Sequence, residues 1–206
     1  MTGGPSIAGT SGAILAGGHS RRMGRDKARI PFGDRPLIAV VVDSLRPLFG
    51  ELAVIAADAG VYMDLDVRVH ADVYPGKGPL GGIYTALRES RAGRTFCVGC
   101  DMPFAAPALI AYLCQLAPDA DVVVPRTVKG YEPLHAVYGK GCLPRLEGML
   151  AEDHLRTDAL FAGVRVHEVG EAELRERDPE LLSLCNINTP ADLADALRRV
   201  GSSCAS

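Results

Sequence analysis

The chain has 206 residues, of which 48% are hydrophobic and 23% are charged, and its formal net charge is −3. This size and composition suit one well-buried α/β domain or a compact pair of lobes that share a core. The small negative charge, without a stripe of basic residues, argues against nucleic-acid binding, and no apolar run approaches the ~20 residues that span a bilayer.

Apolar runs bounded by glycine, proline and polar residues predict alternating strands and helices. In chain order the pattern predicts strand 12–16, helix 36–48, strands 52–56 and 67–70, helix 79–88, strand 95–100, helix 107–116, strands 120–124 and 134–138, helix 143–151, strand 164–167 and helix 190–200. Pro36 is placed in the first turn of its helix, and Thr189 is placed as the N-cap of the last one.

This alternation predicts a Rossmann-like three-layer α/β sandwich with a mostly parallel central sheet and right-handed crossovers. We expect a mostly disordered leader over 1–10, followed by a single domain over 11–201. In such sheets ligands lie beyond the carboxyl ends of the strands. The loop after the first strand and Asp101 after the strand 95–100 both fall on that edge.

Six cysteines occur without the spacing of a disulfide framework, which favours a cytoplasmic protein. Cys97 and Cys100 form a single CxxC pair with no second pair and no clustered histidine. Two interpretations remain open for them, namely buried thiols at a strand end or a metal or redox pair.

The segment LAGGHSRRMGRDK at 15–27 carries the strongest chemical signal. Its paired glycines let the backbone approach a ligand and point N–H groups at anionic oxygens. Four cations follow within seven positions, at Arg21, Arg22, Arg25 and Lys27. This combination suits a nucleoside triphosphate, although a solvated basic turn is the alternative. The pattern is neither G-x-G-x-x-G nor the Walker loop.

The 15–27 segment resembles the signature loop of the MobA-like nucleotidyltransferases, in particular that of the molybdenum cofactor guanylyltransferases. Four further motifs occur in the order that the family shows, and they are GPLGG at 78–82, CDMP at 100–103, EPLHAVY at 132–138 and NINTP at 186–190.

The resemblance assigns roles to residues in the N-terminal half, which it makes the nucleotide-binding half. Leu15, Ala16, Gly17 and Gly18 would wrap the nucleotide, Asp72 and Gly81 would contact it, and Lys27 would contact its phosphates. Together with Lys27, Arg22 is expected to stabilise charge on the leaving pyrophosphate.

Asp101 matches the magnesium ligand of the family. A lone carboxylate at a strand end, followed closely by a proline, also suits Mg²⁺, which takes few protein ligands and keeps several waters. The alternative role of Asp101 is to cap the helix that begins near Pro107.

Two positions bear on nucleotide binding and choice. The family commonly carries an asparagine after its second strand, whereas this chain has Ala-Ala-Asp at 56–58, so Asp58 replaces that contact or the contact is absent. Related cytidylyltransferases typically have LAAG where this chain has LAGG, so Gly17 favours GTP over CTP.

The C-terminal half is expected to bind molybdopterin through His135, Arg156, Asn186 and Asn188. Asparagine side chains can donate and accept paired hydrogen bonds, although turn formation is the alternative for Asn186. A packed, hydrogen-bonded core histidine is the alternative for His135.

The expected reaction transfers GMP from GTP to molybdopterin and releases pyrophosphate, with Mg²⁺ as cofactor. Proteins that insert molybdenum or mature molybdoenzymes are candidate partners, and neither nucleic acid nor a membrane is expected. A cytidylyltransferase using CTP, a sugar-nucleotide pyrophosphorylase and a non-catalytic regulatory module that binds nucleotide are the alternatives.

Overall fold

A computed structural model describes residues 6–17 and 26–203, with side chains described up to residue 200. The strands of this part of the chain are β1 (Thr10–Ala16), β2 (Pro31–Phe32), β3 (Arg35–Pro36), β4 (Leu52–Ala56), β5 (Arg68–Ala71), β6 (Arg94–Gly99), β7 (Val122–Thr127), β8 (Gly130–Tyr131), β9 (His135–Gly139) and β10 (Val166–Gly170). The α-helices are α1 (Leu37–Leu45), α2 (Gly78–Glu89), α3 (Pro107–Gln115), α4 (Leu143–Ala151), α5 (Thr157–Phe161), α6 (Glu171–Arg175) and α7 (Pro190–Ser203).

The central sheet has the strand order β10-β7-β9-β6-β1-β4-β5, and β8 pairs with β7 outside this path. The pairs β1–β4, β1–β6, β4–β5 and β7–β10 are parallel. This confirms the mostly parallel sheet. β9 is the exception, because it runs antiparallel to both β6 and β7.

Side chains of β1 alternate between two buried faces of the sheet. Ile14 joins the hydrophobic cluster that contains residues of α1 and α3, whereas Ala13 and Leu15 join the cluster that contains residues of α2 and α4. Every residue of β1 is buried, which explains the continuous apolar run over residues 12–16. Helices therefore cover both faces, and the three-layer architecture is confirmed.

Helix α1 is shorter than predicted at both ends. Pro36 is its N-cap, with φ −61° and ψ 141°, and so lies outside the first turn. Leu45 is the last residue of the helix, because Pro47 has no N–H group to continue the hydrogen-bond pattern. At the start of α7 the predicted cap is confirmed, since Asp192 N donates to Thr189 Oγ1 at 3.1 Å.

Residues 1–5 of the predicted leader lie outside the described residues. Of the remainder, Ile7 N donates to Leu48 O at 2.8 Å, and Thr10 is the first residue of β1. Backbone hydrogen bonds to the domain thus begin at Ile7. None of the described helices is long and apolar enough to cross a membrane.

Candidate active site

The carboxyl ends of β1, β4 and β5 lie side by side at one edge of the sheet. Ala56 is the register partner of Ala16 in β1 and of Ala71 in β5. Gly17 directly follows β1 and Asp72 directly follows β5, so both residues lie at this edge of the sheet. The parallel register therefore brings two predicted nucleotide contacts to the place where this fold binds ligands.

Lys27 links residues that are far apart in the sequence. Its Nζ donates to Asp101 Oδ2 at 3.2 Å and to Asn188 Oδ1 at 2.6 Å. The Lys27 and Asp101 side chains are only 17% and 18% exposed, so solvent screens this ion pair less than one on the open surface. The structure thus joins two predicted catalytic residues to a predicted acceptor contact.

The backbone fixes Asn188 to the same strand end. Ile187 N donates to Asp101 O at 2.9 Å, while Asn188 N and Thr189 N both donate to Asp192 Oδ2, at 2.9 and 2.8 Å. The loop before α7 is therefore held at both of its ends, and the amide of Asn188 is presented toward Lys27.

Asp26 positions the turn that carries Lys27, and the sequence analysis missed it. Its Oδ1 accepts from Ala28 N at 3.0 Å and so caps the 3₁₀ turn Lys27–Arg29. Its Oδ2 accepts from the hydroxyl of Tyr62 at 2.6 Å. Burial and this hydrogen bond raise the pKa of Tyr62, which keeps the hydroxyl protonated as a donor. The signal was present, because Asp is a favoured capping residue and directly precedes Lys27.

Arg29, at the end of the same 3₁₀ turn, contacts Asp64 and the ring of Tyr62. Its Nη1 donates to Asp64 Oδ2 at 2.7 Å, and its guanidinium lies 5.0 Å from the centroid of the Tyr62 ring. The turn that carries Lys27 is thus attached to the segment after β4 by two separate contacts.

Asp72 is oriented by hydrogen bonds to one of its oxygens. Oδ1 accepts from Thr85 Oγ1 at 2.8 Å and from Tyr74 N at 3.0 Å, whereas no described residue donates a hydrogen bond to Oδ2. A Cβ atom at Gly81 would lie 2.7 Å from Tyr74 O and 3.1 Å from Asp72 Oδ2. Gly81 therefore lets the start of α2 approach Asp72 closely.

Leu15 and Ala16 are 7% and 5% exposed. Because their side chains face the buried layers, any ligand contact of these two residues must come from the backbone. Gly17 is exposed, and a Cβ atom there would meet nothing within 4 Å. Its φ also lies outside the left-handed region, so nothing within the described residues requires a glycine at position 17.

The Asp101 carboxylate has the donor chemistry that a divalent cation needs. Its Oδ1 lies over Gly99, where a Cβ atom would be 2.6 Å away, and no described residue donates a hydrogen bond to that oxygen. A group of three or more metal-ligating side chains is absent from the part of the chain that the structure describes. A single carboxylate still fits Mg²⁺, which takes its other ligands from phosphates and water.

A cavity of about 410 Å³ lies beside this cluster. It is lined by Asn186 and Asn188, by the polar side chains of Lys129 and Glu132, and by the ring of Phe104. Since Asn188 also accepts from Lys27 Nζ, the cavity adjoins the predicted catalytic residues. Its volume is typical of a small-molecule site.

The other two predicted acceptor residues do not line this cavity. His135 is 1% exposed and packs edge-on against Phe96, with ring centroids 5.0 Å apart. Neither ring nitrogen of His135 has a hydrogen-bond partner among the described residues, so it is a core histidine without the hydrogen bond that was expected. Arg156 has a side chain that is 83% exposed, and it pairs with Asp158 at 2.6 Å.

Two predicted site residues, Gly18 and Arg22, lie outside the described residues, as do Arg21 and Arg25. Asp58 is described, and its side chain accepts from Gly60 N at 2.9 Å to cap a 3₁₀ turn. The Asp58 carboxylate is therefore already engaged by the backbone.

Cys97 and Cys100 are buried free thiols. Their side chains belong to the clusters on opposite faces of the sheet, and burial raises the pKa of both. Of the two interpretations left open for this pair, the structure supports buried thiols, because the two sulfur atoms face different layers.

Comparison with known proteins agrees with this geometry. A family model described as "MobA-like NTP transferase domain" matches residues 12–166. A protein of Pelotomaculum thermopropionicum named "Probable molybdenum cofactor guanylyltransferase" is 37% identical over 186 residues, which cover 90% of this chain and 91% of the relative. A "Molybdenum cofactor guanylyltransferase" of Desulfosudis oleivorans is 34% identical over 188 residues, covering 90% of this chain and 93% of the relative.

The fold matches a solved structure as well. The crystal structure of molybdopterin-guanine dinucleotide biosynthesis protein A from Archaeoglobus fulgidus superimposes with a TM-score of 0.84 at 27% identity, covering 93% of this chain and 99% of that one. Fold, site geometry and sequence similarity agree, and the chain belongs to the MobA-like NTP transferase family.

Proposed function

We propose that this protein transfers GMP from GTP to molybdopterin, forming molybdopterin guanine dinucleotide and pyrophosphate. The observation that carries the proposal is the contact of Lys27 Nζ with both Asp101 and Asn188. It supports the proposal because the predicted nucleotide-binding edge of the sheet adjoins a cavity that is large enough for a second substrate.

In the proposed reaction a terminal phosphate oxygen of molybdopterin attacks the α-phosphorus of GTP, and the bond to the bridging oxygen of pyrophosphate breaks. The chain needs no covalent intermediate for this displacement. Its own contribution is to align the two substrates and to place positive charge where negative charge develops. Lys27 supplies that charge, and Asp26 and Asn188 hold it in position.

Members of this family typically use a divalent metal, and we propose Mg²⁺ as the natural ion. Asp101 would hold it through the carboxylate oxygen that receives no hydrogen bond from the described residues. When bound, such an ion neutralises charge on the phosphates. Asp72 would contact the nucleotide through Oδ2, since Oδ1 is already bonded to Thr85 and Tyr74.

Gly17 supports GTP as the nucleotide. Because neither the backbone conformation nor a described neighbour explains a glycine there, the missing side chain is best explained by the space that a ligand needs.

The cytoplasm is the proposed compartment, since the described cysteines are free thiols. Proteins of molybdenum insertion and molybdoenzyme maturation are its candidate partners.

The test is pyrophosphate release with molybdopterin and Mg²⁺ in the presence of GTP or of CTP. We expect turnover with GTP and at least about tenfold less with CTP, a ratio that corresponds to about 1.4 kcal/mol in the transition state. Turnover with CTP alone would retain the mechanism but refute the role of Gly17. No pyrophosphate release with either nucleotide would refute the proposed function.

A further inference from the structure

A half-buried carboxylate faces the 410 Å³ cavity without a hydrogen-bond partner. Glu132 is held by its backbone, since its N donates to Pro125 O at 3.0 Å and its O accepts from His135 N at 3.1 Å. Its side chain lines the cavity, and no described residue forms a hydrogen bond or an ion pair with the carboxylate. Burial raises the pKa of Glu132, and the charge of Lys129 opposes this shift.

A carboxylate that no described residue engages is free to accept hydrogen bonds from a ligand in the cavity. The other walls indicate the shape of that ligand. Phe104 contributes an aromatic ring, and Leu182 and Leu184 contribute apolar surface. Two more carboxylates line the cavity, but Asp192 accepts from the backbone N–H groups of Asn188 and Thr189, and Asp195 pairs with Arg198. Glu132 is thus the lining carboxylate that no described residue engages, and beside an aromatic ring it suits a planar heterocycle that carries N–H donors along one edge.

The proposed acceptor contains such a ring. A pterin carries a 2-amino group and an adjacent ring N–H on the same edge, and a carboxylate can accept from both at once. Guanine has a similar donor edge, but the predicted nucleotide contacts Gly17, Asp72 and Gly81 do not line this cavity. The cavity is therefore assigned to the acceptor rather than to the base of GTP.

We propose that Glu132 recognises the pterin ring of the acceptor by accepting hydrogen bonds from its 2-amino group and the neighbouring ring N–H, and that it is thereby a specificity-determining residue. This inference rests on the proposed function, because that function makes a pterin the second substrate.

The first experiment compares the steady-state kinetics of the wild type and Glu132→Gln. Gln keeps the shape of the side chain but replaces one acceptor oxygen by a donor, so the KM for molybdopterin should rise about ten- to a hundredfold, as for the loss of a hydrogen bond to a charged group. The KM for GTP should change by less than about twofold, because a residue of the acceptor site does not bind the nucleotide. Glu147→Gln is the matched control, since Glu147 is exposed on α4 and does not line the cavity.

The second experiment measures direct binding and needs no turnover. Pterin and lumazine, which carries an oxygen in place of the 2-amino group, are titrated by fluorescence against both proteins. The wild type should prefer pterin by about tenfold, and Glu132→Gln should lose that preference. This measurement also covers the case in which the variant folds poorly, because the preference of the wild type stands on its own.

The outcomes separate the two proposals. An unchanged KM for molybdopterin in Glu132→Gln, an equal rise in the KM for GTP, or equal binding of pterin and lumazine by the wild type would overturn the role of Glu132. A wild type that prefers pterin but releases no pyrophosphate would refute the proposed reaction and leave the recognition of the ring intact.

Discussion

Lys27 shows how a single ammonium group can be positioned from both ends of a chain. Its Nζ contacts a carboxylate at the end of β6 and an amide before α7, while Asp26 caps the turn in which it lies. A lysine side chain alone loses considerable rotamer freedom when it is held in one geometry. The two contacts of Nζ restrict the side chain, and the cap by Asp26 fixes the backbone turn that carries it, before any substrate arrives.

Replacing Lys27 by Ala should therefore reduce turnover strongly. We expect kcat to fall by about ten- to a thousandfold, the range for the loss of one preorganised electrostatic donor. Pyrophosphate release at saturating substrate concentrations, sampled at fixed times, measures kcat for each variant. Lys140→Ala is the control, because Lys140 bonds to Ser90 O and adjoins the start of β6, at the opposite edge of the sheet. Equal activity of Lys27→Ala and Lys140→Ala would remove Lys27 from the mechanism.

Local motifs predicted some of the site residues but not their contacts with each other. Lys27 and Asp101 each follow a strand and carry obvious chemistry, so the sequence pointed to both. Asn188 was predicted as an acceptor contact, yet its bond to Lys27 spans 161 positions and no local pattern encodes it. Tyr62 was missed for the same reason, since its hydroxyl meets Asp26 only in the folded chain.

At the scale of elements, the sequence predicted whether each main segment is a strand or a helix, but it did not predict the direction of strand β9 in the sheet. β9 is buried on both faces, and a strand buried on both faces has no sequence pattern that indicates its direction in the sheet. Its antiparallel placement between β6 and β7 is set by the short hairpin connection through β8. The short elements β2, β3, β8, α5 and α6 were also missed, because two to five residues are too few to show a period.

The approach of α2 to Asp72 makes a prediction about Gly81. A methyl group at this position would lie 2.7 Å from the carbonyl oxygen of Tyr74, so Gly81→Ala must displace the β5–α2 loop. We expect a loss of about 1–3 kcal/mol in the free energy of unfolding, as for other overpacked sites. The affinity for GTP should fall as well, because Asp72 shifts with the loop.

Gly148→Ala is the matched control for this substitution. Gly148 also lies inside a helix, but a Cβ atom there would meet nothing within 4 Å. Alanine should therefore stabilise α4 by roughly 0.5–1 kcal/mol. Urea unfolding measures the stability of both variants, and titration with GTP measures their affinity. If Gly81→Ala matches the wild type in both, α2 tolerates the methyl group and the prediction is wrong.

At the scale of the whole molecule, the buried His135 predicts how stability depends on pH. Burial lowers the pKa of His135 from 6.5 to about 4. The unfolded chain therefore binds this proton below about pH 6.5, whereas the folded protein binds it only near pH 4. The neutral, buried His135 therefore contributes fully to the free energy of unfolding above pH 6.5. This contribution is lost as the pH falls toward 4, by an amount on the order of 3 kcal/mol.

His135→Leu should remove this part of the acid sensitivity. The free energy of unfolding, measured with urea at several pH values between 7.5 and 4, should fall less steeply for the variant than for the wild type. Loss of two unpartnered ring nitrogens from the core should also leave the variant no less stable at low pH. His154→Gln is the control, since His154 is 71% exposed, and identical slopes for all three proteins would refute the prediction.

The cavity is built mainly by residues 182–199, whereas the match to the family model ends at residue 166. The proposed nucleotide-binding edge of the sheet, with Gly17, Asp72 and Asp101, lies entirely inside the matched region. The two proposed substrate sites thus rest mostly on different parts of the chain, and they meet where Lys27 Nζ donates to Asn188 Oδ1. Substitutions among cavity residues 182–199 other than Asn188 should therefore alter the binding of the proposed acceptor and leave the contact of Lys27 with Asp101 intact.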